Sequence, residues 1–193
     1  MPSRSSDPVA EALHAAAARI VDAVVAVEAA NPVVLIDGRS GAGKTTLSRL
    51  VAANWPVAGR PQLIPLDLLY PGWDGLDAGV ARAVDDILRP HARGLVSTWR
   101  RWDWDAQADA EAHAVDPALG LIIEGCGALT PITARVADVR VWVDAPDAVR
   151  KERALARDGD GFRPHWERWA AQEQRHIDRD GPRALADVIV RIP

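Results

Sequence analysis

The stretch Val33-Val34-Leu35-Ile36-Asp37-Gly38-Arg39-Ser40-Gly41-Ala42-Gly43-Lys44-Thr45-Thr46-Leu47-Ser48-Arg49-Leu50 decides how the rest of this chain is read. Its centre, Gly38 to Thr46, satisfies the pattern G-x-x-x-x-G-K-[ST]. An apolar strand-like run (33–36) precedes it, and a helix-like run (47–53) follows. A strand that feeds a glycine-rich turn and opens a helix aims several backbone N–H groups, and the positive end of a helix dipole, at one point. Gly41 and Gly43 can take backbone angles closed to other residues and let phosphate oxygens approach the main chain. Gly38, Arg39, Ser40, Gly41, Ala42, Gly43, Lys44, Thr45 and Thr46 are therefore the candidate phosphate-binding loop. In this reading Lys44 reaches the outer phosphates, Thr45 holds Mg²⁺ and Thr46 donates to a phosphate. The stretch predicts binding of a nucleoside triphosphate.

The remaining composition narrows the setting. A chain of 193 residues, 48% hydrophobic, is long enough for one domain with a substantial core and short for two. A formal charge of −4 argues against nucleic-acid binding over a broadly basic surface. The one cysteine, Cys126, excludes an internal disulfide and zinc-type spacing, so a cytoplasmic setting fits. The Ala- and Val-rich opening resembles a leader or membrane span only superficially, because Arg19, Asp22 and Glu28 interrupt it. Asp7 as a cap, Pro8 at the first helical position, and Leu13, Ala16, Ile20, Val24 and Val27 on one face predict a packed amphipathic helix over 8–30. That helix either covers the sheet or mediates a homodimer.

Apolar runs at Gln62–Leu66, Leu119–Ile123, Val139–Val143 and Val188–Ile192 read as strands buried on both faces. Helical patterns at Lys44–Asn54, Ala78–Leu88, Pro146–Arg157 and Pro164–Arg179 alternate with them. The alternation predicts an α/β fold, a parallel sheet with helices on both faces. Residues 91–118 are the least regular. They read either as an insertion over the acceptor site or as a plain helix or hairpin.

Further candidates surround the loop. Asp67 follows the second strand, at the end where ligands gather in open α/β sheets. It can accept a proton from an attacking hydroxyl or help hold Mg²⁺; the plainer reading is a turn residue. Leu121-Ile122-Ile123-Glu124-Gly125 ends a strand on a carboxylate suited to orient Mg²⁺. Arg150, Arg153 and Arg157 share one helix face and precede Gly159-Asp160-Gly161. Beside a phosphate loop this predicts a lid over 150–163, and otherwise a solvated face. Eight tryptophans accompany one Tyr and one Phe. In a strand, Trp102 and Trp104 would share a face, with Asp103 opposite, and could sandwich a planar ring or simply pack.

In this order the motifs resemble the uridine kinase-like branch of the phosphate-loop kinases, which includes uridine/cytidine, pantothenate and nicotinamide riboside kinases. The resemblance spans residues 33–193. It implies the P-loop fold, with a five-stranded parallel sheet of order 2-3-1-4-5 and an Arg-bearing lid. It also implies Asp67 as catalytic base, Glu124 with Thr45 at Mg²⁺, the Arg150–Asp158 series as lid helix, and Ala186-Asp187-Val188-Ile189-Val190 as the closing strand. By order and character, Asp74 and Trp102-Asp103-Trp104 are similar to the acceptor-binding segments. The spacing from Asp67 to Asp74 is shorter than in that family, and Gln107 stands nearest to where its histidine falls.

The expectation is a single-domain, ATP- and Mg²⁺-dependent kinase. Asp67, Lys44, Arg153 and Arg157 carry catalysis, and Asp74, Trp102, Asp103, Trp104 and Arg150 bind a small-molecule acceptor, first a nucleoside. A nucleoside monophosphate (with Arg100 and Arg101 as extra cations), pantothenate or a sugar are rival acceptors. A regulatory ATPase using water is the rival of another class. No Asn-Lys-x-Asp guanine-reading motif is present.

Overall fold

Strand β1 (Val33–Asp37) is buried along its whole length, so its alternate side chains build two cores at once. The computed structural model describes residues 7–193, with every side chain in that range except those of Asp158 and Asp160. On one face, Val34 and Ile36 join α1 (Pro8–Val27) and α2 (Lys44–Ala53). On the other, Val33 and Leu35 join α3 (Leu76–Arg82), α5 (Asp147–Phe162) and α6 (Trp166–Asp180). Each fully buried aliphatic side chain contributes roughly 1.5–3 kcal/mol.

Four more strands run parallel to β1: β2 (Gln62–Pro65), β5 (Leu121–Glu124), β6 (Val139–Asp144) and β7 (Val188–Arg191), in the order β2-β5-β1-β6-β7. Asp37, the phosphate loop, Asp67 and Glu124 thus emerge together at the carboxyl ends of adjacent strands. The chain reverses neighbours on either side of β1, which opens a crevice there.

Helix α1 starts as expected, with Asp7 Oδ1 accepting the Val9 amide at 3.0 Å and Pro8 in the first turn. It stops earlier than Asn31-Pro32, because Glu28 turns left-handed (φ 57°). Leu13, Ala16, Ala17, Ile20 and Val24 are buried against the sheet and α2. Ile20 is fully covered, so Ile20→Ala is expected to cost about 2–5 kcal/mol in a urea titration. A cost under about 1 kcal/mol would mean that α1 is not part of this core.

Residues 91–118 resolve the open alternatives in favour of a hairpin. Here β3 (Ser97–Asp103) pairs antiparallel with β4 (Ala108–Val115), with a register shift between Arg100 and Trp102. The preceding helix begins at Leu76, earlier than the pattern suggested. It passes through wide π-type turns at Ala83–Leu88 and ends in α4 (Arg89–Ala92). Helix α5 is broken at Gly159 (φ 60°, ψ −142°), where the glycine pair predicts flexibility. The Asp158 end of the expected lid series lies outside the described side chains. A short α7 (Pro182–Leu185) leads into β7. Among the described residues, no helix is long and apolar enough to cross a membrane.

Candidate active site

The loop after β1 is gripped from two directions. Its Gly41 has φ 78°, and any Cβ there would collide with the Arg150 main-chain carbonyl, so loop and α5 meet backbone to backbone. Arg150 is almost completely buried; one guanidinium nitrogen donates to the Ser40 carbonyl at 3.0 Å and the other pairs with Asp147. From α6, Glu173 accepts the Ser40 amide at 2.8 Å and the Arg39 Nε–H at 3.2 Å. Arg150, expected to bind the acceptor, therefore does not line the cleft beside the loop with Arg153 and Arg157. Helix periodicity placed the three on one face, but the first turn of α5 lies against the loop and turns Arg150 into its brace. Arg150→Ala leaves the Ser40 carbonyl unpaired in the interior and is expected to cost about 1.5–3 kcal/mol by urea unfolding. Arg150→Lys should recover little of it, because one ammonium cannot reproduce the two-directional fork. Full recovery would contradict the brace.

Beside the loop lies a cleft of about 280 Å³ lined by Ser40, Gly41, Gly43, Lys44, Thr45, Thr46, Arg49, Asp67, Glu124, Cys126, Arg153, Ala154 and Arg157. Of the residues assigned from sequence, Lys44, Thr45, Thr46, Asp67, Glu124, Arg153 and Arg157 come together here. Ser40, Gly41 and Gly43 line the cleft with them, whereas Gly38, Arg39 and the buried Ala42 do not. Thr45 Oγ1 donates to Glu124 Oε1 at 2.9 Å. Lys44 Nζ donates to the Arg39 carbonyl at 3.1 Å and lies 3.5 Å from Cys126 Sγ. Arg153 donates to the Pro193 carbonyl at 2.7 Å.

The site's electrostatics follow from burial and sign. Desolvation opposes charge on Lys44, yet the negative potential around it, with Glu124, Glu173 and Asp67 as its carboxylate sources, outweighs it and holds its pKa above the ordinary lysine value. Desolvation pushes the Glu124 carboxyl up, against the pull of Lys44. Glu173 is pushed up by burial too, but the bonds from Ser40 and the charge of Lys44 prevail and leave it below the usual range. Burial drives the Cys126 thiol up to about 12, so it stands by the loop as an uncharged group. Tyr70, whose hydroxyl donates to the Cys126 carbonyl at 2.7 Å, is likewise kept neutral by burial.

The acceptor-side residues do not gather as the sequence suggested. Strand β3 ends at Asp103, so Trp104 sits in the turn and does not share a strand face with Trp102. Trp102 lies under the Arg82 guanidinium at 5.7 Å. Asp103 accepts the Asp105 and Ala106 amides at 3.0 and 2.9 Å and the Arg101 guanidinium, which makes it the cap of the hairpin turn. Asp74 is exposed and pairs with Arg168 of α6. Trp104 alone of this group reaches the site: its indole N–H donates to the Asp67 carbonyl at 2.9 Å. Its ring lies 4.8 Å from Trp73, which in turn stacks with Phe162 and His165 just beyond the Gly159 break.

Sequence reading missed Asp37, Arg49, Trp73, Glu173 and His176. Arg49 was legible, one helical turn beyond Thr45 and Thr46. Asp37 ends an apolar strand just before the loop, a position that demands a compensating partner. Glu173 and His176 lie far along the chain and gave no local signal.

No family model matches the chain, and no curated protein matches it. Solved structures do resemble it. One is described as a possible uridine kinase from Bacillus stearothermophilus: TM-score 0.68, 18% identity, covering 92% of this chain and 98% of that one. Another is a candidate fructose transport system kinase from Silicibacter sp. TM1040: TM-score 0.56, 18% identity, covering 90% and 98%. At this identity the likeness is one of fold: an α/β architecture with a five-stranded parallel sheet, shared with proteins described as kinases.

Proposed function

We propose that this protein is an ATP-dependent small-molecule kinase of the P-loop type, acting on a hydroxyl group. The observation that carries the reading is the convergence, in one cleft, of a loop built for phosphate, two carboxylates and three cations from other turns of the chain. The loop amides and Lys44 hold the outer phosphates, and Arg153 and Arg157 approach from α5 to stabilise charge on the transferring group. Asp67, just after β2, lines the same cleft as Lys44 and takes the proton of the acceptor hydroxyl. The donor set fits Mg²⁺, since the Thr45 hydroxyl and the Glu124 carboxylate already meet at 2.9 Å. Among the described residues, no group of three or more His, Cys, Asp and Glu side chains is arranged to hold a metal. When bound there, that ion would supply positive charge to offset the charge of the outer phosphates.

For the acceptor, the tilted indole pair of Trp73 and Trp104 beside Asp67 offers aromatic surface to a planar ring, which favours a nucleoside. A sugar is the second reading, favoured by the fold shared with the candidate fructose transport system kinase. Incubation with MgATP and a panel of nucleosides, nucleoside monophosphates, pantothenate and sugars, followed by mass spectrometry, tests both. One acceptor gaining a single phosphoryl group, with stoichiometric ADP, is the expected result. Slow, acceptor-independent hydrolysis would refute the kinase reading in favour of a regulatory ATPase.

A further inference from the structure

Asp37 and His176 form a buried pair that the proposed chemistry does not use. Asp37 ends β1 at 1% exposure, and both of its oxygens are fully engaged. Oδ1 accepts the amides of Gly38 at 2.6 Å and Gly127 at 3.0 Å. Oδ2 accepts the Leu129 amide at 2.8 Å and faces His176 Nε2 at 2.9 Å. One carboxylate thus ties the first residue of the phosphate loop to the loop that follows Glu124.

His176, 2% exposed on α6, faces a second carboxylate with its other nitrogen, Nδ1 to Asp180 Oδ2 at 2.9 Å. A neutral imidazole has one N–H and one lone pair, so it can satisfy only one of two carboxylates. Two acceptors on opposite sides require both nitrogens to carry protons. The outer carboxylate is held in turn: Arg179 bonds to Asp180 and, through both terminal nitrogens at 3.0 Å, to Asp77 at the start of α3. One turn earlier on α6, Glu173 holds the Ser40 amide and accepts from Cys126 Sγ at 3.2 Å. One helix therefore grips the phosphate loop at two points, with opposite charges.

We propose that His176 is a positioning residue, an imidazolium clamp that acts through Asp37 to fix the phosphate loop and the loop after Glu124 in register for nucleotide binding. The proposal rests on the reading that this loop binds a nucleoside triphosphate. The groups that face the clamp are Asp37 from β1, Asp180 and Arg179 from α6, and Asp77 from α3 through Arg179; Glu173 and Cys126 form the adjacent cluster. Desolvation disfavours the charge, but the bonds and negative potential of Asp37 and Asp180 prevail, so the His176 pKa is raised. The linkage then has one sign. Its contribution is complete below the ordinary histidine pKa of about 6.5 and disappears as pH rises through the raised value.

Two measurements on the whole protein test this. ¹⁵N-edited NMR should show both ring nitrogens of His176 protonated at neutral pH, above the ordinary value of ~6.5. Displacement of a fluorescent ATP analogue with Mg²⁺ should show affinity falling about tenfold across the pH range in which His176 loses its proton. His176→Gln should bind about tenfold more weakly at neutral pH, with a flat profile above it. If the single variant does not fold, Asp180→Asn serves instead and should move the loss of affinity to lower pH. A singly protonated His176 at neutral pH, or a folded His176→Gln that binds within twofold of the native protein, would overturn the clamp alone. A native protein that binds no analogue at any pH would overturn the nucleotide reading and the clamp with it.

Discussion

A Lys44→Ala variant is expected to lose MgATP-dependent turnover by at least about 10³-fold while remaining folded. Removing one preorganised donor aimed at developing charge costs about 10²–10³ in rate, and Lys44 acts on binding as well as on transfer. Lys44 is 8% exposed and is held charged by Glu124, Glu173 and Asp67, so under the proposed function its ammonium meets the phosphates already desolvated. Folding should survive because the contacts Lys44 makes are local, to the Arg39 carbonyl and Cys126 Sγ. Neither apolar core includes it. Losing it removes one of the cations beside Glu124 and Glu173, and the urea midpoint should fall by a margin worth about 1–2 kcal/mol. Steady-state assay beside a circular dichroism melt separates the two effects. Turnover within tenfold of native would remove Lys44 from the phosphate site.

Asp67→Asn is expected to lower kcat by about 10²–10⁴-fold, the range assigned to a positioned general base, with nucleotide affinity changed only a few-fold. The substitution keeps size and shape. Asp67 is exposed at the end of β2, and its main chain is fixed independently by the Trp104 indole N–H. Removing a carboxylate that favours the charge on Lys44 should not unseat Lys44, because Glu124 and Glu173 remain. Single-turnover kinetics with saturating acceptor measures the step directly. If transfer persists at near-native rate while binding is lost, the role of Asp67 is at the metal and not at the proton.

The strand–turn–helix around Gly38–Thr46 was legible because its signal is local: the glycines, lysine and threonines are contiguous, and the flanking strand and helix advertise themselves. Buried parallel strands were legible for the same reason, as short Val-, Ile- and Leu-rich runs. Periodicity failed where tertiary context decides which way a helix faces. Arg150 keeps its place on the face of Arg153 but is turned under the loop by the backbone contact at Gly41. The pairing of Trp102 with Trp104 required a strand that continued through 104; instead Asp103 captures two turn amides and ends it. Glu173 and His176 were invisible because their partners, Ser40 and Asp37, lie 133 and 139 residues away along the chain. Only the packing of α6 against the loop brings them together.

The central claim is that the Gly38–Thr46 loop binds MgATP. Isothermal titration of the native protein with a non-hydrolysable ATP analogue, with and without Mg²⁺, tests it most directly, with Lys44→Ala as the comparison. The account predicts one binding event per chain, strengthened by Mg²⁺ and weakened at least tenfold by Lys44→Ala. Absence of binding, or binding indifferent to both Mg²⁺ and Lys44, would contradict it.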